Sequence, residues 1–238
     1  MLIGLVVIPL LYPAPLFAHA ASYGVFDIQS DRPIDPSMAQ VIGDAERRLR
    51  MSELFRREDR FRIYICHDRW RLLLFTRSTQ VGGAVEPLTR NIYLREVDAR
   101  RNRLIGPDGE IADAKVRPLS YFIAHEAAHV LAGRRFGRLA FLRAPRWLNE
   151  GSADMIGKGG EFDVAENRAR LLSGDPEMSA ERARVGLYRR YHLMVAALIQ
   201  EHGRSLPELF SAPPPESAAL AAALGHGRSA PPKAGAPK

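Results

Sequence analysis

His125-Glu126-Ala127-Ala128-His129 is the stretch on which the reading of this chain turns. Residues four apart on a helix lie one above the other on the same face. His125 and His129 can therefore direct both imidazoles at one metal ion. Glu126 sits about 100° further round the helix, able to reach a water at that metal but not aligned as a ligand. The helix itself is well supported. Pro118 suits a first turn, Leu119, Phe122, Ile123, Val130 and Leu131 supply apolar faces, and Gly133 can end it.

A catalytic zinc takes three protein ligands and keeps a fourth position open, so a third donor is expected downstream. Glu150 stands in Ala144-Pro145-Arg146-Trp147-Leu148-Asn149-Glu150-Gly151-Ser152-Ala153-Asp154. Pro145 opens a second helix there, Trp147 and Leu148 bury against a core, and Gly151 permits close helix approach. Glu150 and Asp154 are again four apart. Glu150 can ligate, while Asp154 accepts the remaining N–H of a ligating histidine, as residues behind a metal commonly do.

These two segments, His-Glu-x-x-His and then Trp147-Leu148-Asn149-Glu150-Gly151-x-Ala153-Asp154, resemble the gluzincin metallopeptidases, the thermolysin-like clan. More narrowly they resemble small bacterial peptidase MA-like domains, over residues 118–156 and more weakly to about residue 210. The resemblance implies one Zn2+ per chain on His125, His129 and Glu150, with Glu126 as general base. It implies Asp154, with Asn149 beside it, as support behind the ligands. It also implies an edge strand before the motif helix that binds a peptide by strand addition. Residues 91–95 are the candidate, with Asn91, Ile92 and Tyr93 contacting substrate and 82–84 nearby; from sequence they could equally be an interior strand. Finally, a Tyr or His from a later helix should donate to the oxyanion. Tyr188, Tyr191 and His192 recur at helical spacing, and the resemblance favours Tyr188. The chain departs from thermolysin in its shortness and in having no recognisable calcium sites, so substrate preference does not transfer.

The 238 residues suit one domain with tails, and 46% hydrophobic residues suffice for a core. The formal charge is +7; Lys115, Lys158, Lys233 and Lys238 are the only lysines among 34 basic residues. That balance suits an anionic envelope or membrane surface. No aromatic-interleaved basic motif points to nucleic acid, which is not expected as a partner. Arg134, Arg135, Arg138, Arg143 and Arg146 are either surface residues or a recognition cluster for an acidic group. The single Cys66 forbids an internal disulfide and reads as a small buried residue.

Residues 1–17 are almost wholly apolar, and Ala18-His19-Ala20 fits a cleavage site. This reads as a secretory signal peptide, residues 1–20, hence an exported periplasmic, envelope or secreted protein. Pro9, Pro13 and Pro15, and the lack of an early Lys or Arg, depart from that pattern. An uncleaved anchor is the alternative, though the run is short of the roughly 20 residues of a span. Strands are expected at 23–28, 61–66 and 91–96, and helices at 35–55, 70–76, 164–173, 180–202 and 205–211. Residues 82–83 read as a turn, and 106–109 as another. This is an α+β pattern: a small sheet with helices, then a mainly helical half. Residues 21–211 form the domain, and the Ala/Pro-rich 212–238 a disordered tail.

The activity expected is hydrolysis of peptide bonds in a peptide or protein substrate. Two alternatives stand beside it. One is a zinc-stabilised envelope binding module without catalysis, against which the intact Glu126 argues. The other is a metal-dependent hydrolase of a non-peptide amide such as a cell-wall crosslink, which the same residues would serve.

Overall fold

The computed structural model describes residues 11–106, 109–110, 117–159, 162–178 and 184–225. The architecture is mixed α+β, an N-terminal mixed sheet followed by helices. The chain divides into two compact units, Met1–Leu139 with Ile156–Glu161, and Ala140–Met155 with Phe162–Lys238.

In the first unit, β1 (His19–Tyr23), β2 (Phe26–Ser30), β3 (Phe61–Cys66), β4 (Gly83–Val85) and β5 (Ile92–Arg95) form a sheet in the order β1-β2-β3-β5-β4. The outer pairs are antiparallel and β2-β3-β5 run parallel. Where one strand is expected at 23–28, there are two, joined through Gly24 at φ +55°. The helix α1 (Met38–Arg50) buries Val41, Ile42, Ala45 and Leu49 and packs on α3 (Leu119–Arg135). Between them in sequence lies α2 (Arg69–Thr76). Short strands β6 (Val97–Asp98), β7 (Arg103–Gly106) and β8 (Gly109–Glu110) pair in a second small sheet. The turn expected at 106–109 includes Pro107 and Asp108, which lie outside the described residues.

Successive strand residues face opposite sides, and both sides of β3 and β5 are covered. On one side Phe17, Tyr64, Cys66, Leu72, Phe75 and Tyr93 form a cluster, with the Phe75 and Tyr93 rings stacked at 4.5 Å. Burial pushes the Cys66 thiol pKa up, consistent with a packing residue. Beyond the strand ends, the Asp31 carboxylate accepts the backbone N–H of His67 and of Asp68, both at 3.1 Å. Burial would raise its pKa, but those bonds and the His67 ring hold it below the usual range.

One expectation changes here. β5 lies between β3 and β4, and Asn91, Ile92 and Tyr93 are buried, so none of them presents a sheet edge. The terminal strand is β4, read from sequence as a turn because Gly82-Gly83 masks a three-residue strand. Phe17 packs 5.0 Å from Tyr64, and His19 and Ala20 pair with Ser30 and Gln29.

The second unit is helical: α5 (Arg146–Lys158) through Met155, α6 (Val164–Leu172), α7 (Arg184–Gln200), α8 (Leu206–Ser211) and α9 (Glu216–Ala223). The turn α4 (Arg138–Arg143) precedes them. Leu193, Met194, Val195, Ala196 and Ala197 make α7 its centre, almost wholly buried. A disordered tail is expected from 212, yet α9 packs on α7. Ala219, Ala222 and Ala223 give it a small buried face, and Arg168 Nε donates to the Ala223 carbonyl at 2.7 Å. Alanine composition alone does not reveal a partner helix. Residues 226–238 of the expected tail lie outside the described residues.

The buried Phe17 generates a prediction. Phe17→Ala should lower stability by roughly 3–5 kcal/mol, read as a shifted midpoint of urea unfolding. An unchanged midpoint would place Phe17 outside the core.

Candidate metal centre

In the first unit, α3 runs through Gly133 rather than ending there, because Gly133 is buried and the helix closes at Arg135. Arg134 and Arg135 reach back to the Asp59 carboxylate, so these two arginines hold the fold. His125 and Glu126 are buried and His129 half-buried. The two imidazoles meet edge-on, 5.0 Å between centroids at 87°. One turn before His125, the Tyr121 hydroxyl stands 3.4 Å from His125 Nδ1. With Nδ1 protonated against that oxygen, Nε2 carries the lone pair a metal needs. Tyr121 is held in turn by Gly157: a Cβ there would lie 2.9 Å from the Tyr121 ring. Glu126 is packed just as closely. A Cβ on Gly83 would come within 2.9 Å of Glu126 Cγ and Oε1, so the terminal strand β4 passes directly over the general-base candidate.

In the second unit, α5 carries Glu150, half-buried, and Asp154, buried. Trp147 and Leu148 are fully buried, as expected. Gly151 meets α7 at the Tyr191 carbonyl, where a Cβ would lie 2.4 Å from the oxygen. Asn149 Nδ2 donates to the carbonyls of Phe141 at 3.0 Å and Ala144 at 3.4 Å; it fixes the α4–α5 turn and so the start of the Glu150 helix. His192 Nδ1 donates to Asp154 Oδ2 at 2.9 Å, both groups almost fully buried. The Phe162 ring stacks on His192 at 3.6 Å. Tyr191 is buried and its phenol pKa is raised, by burial first; Tyr188 is half-buried.

Across the described residues, His125, His129 and Glu150 form a group that could hold a metal ion, each offering one ligand atom and all of these within 4.8 Å of one another. Two imidazoles and a carboxylate are a set that zinc accepts at about 2.0–2.2 Å, and partly buried donors of this kind fit such an ion. The group leaves room in the donor count for an exchangeable fourth ligand. Sequence reasoning missed three parts of the surroundings. Tyr121 is four residues before His125 and could have been found by the same spacing rule. The His192 contact of Asp154 and the Phe162 stack are set by tertiary packing and leave no local signal. No family model matches the chain, and no curated protein matches it significantly.

Two outcomes follow for metal affinity and stability. Tyr121→Phe should weaken the affinity of this group for a divalent metal by about 10-fold or more, measured by competition with a chromophoric chelator; equal affinity would remove Tyr121 from the centre. Gly151→Ala should cost roughly 1–3 kcal/mol through overpacking against the Tyr191 carbonyl, measured by urea unfolding; a neutral effect would mean the helices are further apart than described.

Proposed function

We propose that this chain is a zinc metallopeptidase of gluzincin type, working on extended segments of peptide or protein. The observation that carries the reading is the position of Glu126: a buried carboxylate one residue from His125 of the metal-competent group and in contact with Gly83 of the terminal strand. A structural metal site has no use for such a base. Zinc, when bound, would supply Lewis acidity toward a water and toward the scissile carbonyl.

The chain's own residues would do the rest. The Glu126 carboxylate takes a proton from the attacking water and returns it to the leaving nitrogen. An extended substrate can align along β4, where backbone hydrogen bonding gives affinity without reading side chains; this role passes from residues 91–93 to 83–85. Tyr188 is the proposed oxyanion donor. His192, with Nδ1 committed to Asp154, can present only Nε2 and is its competitor. The apolar residues 1–17 support a location at the cell envelope.

Hydrolysis of an unstructured protein such as casein should be abolished by chelation and restored by zinc. Glu126→Gln should retain the metal and lower turnover by about 10²–10⁴-fold; a fully active variant would contradict the assignment. Gly83→Ala should also retain the metal while displacing Glu126, with turnover down by roughly 10–100-fold. Unimpaired turnover there would separate β4 from the reaction.

A further inference from the structure

The hydrogen-bond ladder of β4 fixes what its outer side offers. The Arg95 N–H donates to the Gly82 carbonyl at 3.1 Å, and the Glu86 N–H to the Asn91 carbonyl at 2.9 Å. In an antiparallel pair such bonded residues alternate with residues whose backbone groups face away. Gly82, Ala84 and Glu86 therefore bond toward β5. Gly83 and Val85 turn N–H and C=O to the outer side, where no described strand lies. Side chains alternate as well. The Cβ position of Gly83 faces Glu126. Ala84 pairs with Tyr93, whose ring stacks on Phe75, so Ala84 faces α2 on the opposite side of the sheet.

Beside Ala84 on that face lies a hollow of about 290 Å³. Leu11, Leu74, Phe75, Val85 and Leu88 give it apolar walls, and Leu88 is 61% exposed. The polar groups of its lining serve their own turns. The Glu86 carboxylate accepts the N–H of Leu88 at 2.8 Å and of Thr89 at 2.6 Å, and the Thr76 hydroxyl donates to the Leu72 carbonyl at 2.7 Å. Arg77, also in the lining, is exposed. A hollow of this composition selects an occupant by apolar burial, with little hydrogen bonding.

We propose that this hollow receives one substrate side chain, so that the chain selects extended segments carrying a large apolar residue, Leu, Phe or Met, close to the cleaved bond. The inference rests on the peptidase reading above and on β4 as the strand that binds substrate. A peptide added to the outer side of β4 bonds Gly83 and Val85. Directly paired residues share a face of the sheet. The substrate residue opposite Gly83 therefore turns its side chain toward Glu126. Its immediate neighbour, opposite Ala84, turns its own toward α2 and the hollow. Ala84 and Val85 belong both to the strand and to the hollow, and that continuity names the occupant. Backbone pairing alone reads no sequence; the hollow adds the position that does.

The test is a series of alanine-rich peptides in which one guest residue is walked through the positions around the cleaved bond. With the zinc-loaded chain, kcat/KM should be about 10-fold or more higher for Leu or Phe than for Ala at one position. Leu88→Glu, folded with the parent's thermal transition, should lose that preference while cutting the all-alanine peptide at the parent's rate. The same peptides are then bound to the zinc-loaded Glu126→Gln chain, with and without Leu88→Glu, and followed by fluorescence anisotropy. The ratio of Kd values for Ala and Leu there needs no turnover. Binding that prefers Leu and loses the preference with Leu88→Glu, in a chain whose parent cuts nothing, supports the hollow and contradicts the peptidase reading. Cleavage without an apolar preference, or with one that the folded Leu88→Glu chain keeps, overturns the hollow and leaves the peptidase reading standing. Neither binding nor cleavage overturns both.

Discussion

A buried polar group must find a partner or it costs stability. The helix α3 carries two imidazoles and a carboxylate in three positions while its other faces build the core. Its described neighbours in the first unit answer that constraint. Tyr121 meets His125 from the preceding turn, and Gly83 lets a strand lie against Glu126 where any side chain would displace it. Gly157 gives Tyr121 its space. The third donor, Glu150, sits on a helix whose neighbour Gly151 allows contact with α7 at backbone distance. The glycines are positioning elements here because they have no Cβ, and φ freedom is not their purpose.

This explains which parts of the molecule were legible from the chain alone. The motif helix, Glu150 as third donor, the buried Trp147 and Leu148, and the α+β order all follow from spacing and periodicity. Their signals are local. The edge strand was misplaced because Ile92-Tyr93-Leu94 has strong strand character and Gly83-Ala84-Val85 has little. Strand propensity says nothing about neighbours, and in its interior position β5 stacks Tyr93 on Phe75 and Tyr64. Asp154 shows the same limit. Its spacing from Glu150 marks it as functional, while its contact with His192, 38 residues on, is a product of packing.

The two ends of the chain teach a related lesson about composition. An apolar, proline-broken start and an alanine- and proline-rich end both look dispensable. Yet Phe17 enters the aromatic cluster of the first unit, and α9 covers α7 in the second with its alanines. Composition reports what a segment can bury, and only the surface facing it decides whether it does. Arg168 closes the α9 end through a backbone carbonyl, a contact that no sequence pattern announces.

The proposed function depends on His125, His129 and Glu150 together holding one zinc ion. X-ray absorption fine structure at the zinc edge, on the loaded chain, tests it most directly. Two imidazole scattering signatures and only nitrogen or oxygen neighbours are expected, at about 2.0–2.2 Å, with the spectrum altered in Glu150→Ala. A sulfur neighbour, fewer than two imidazoles, or a spectrum indifferent to Glu150 would contradict it.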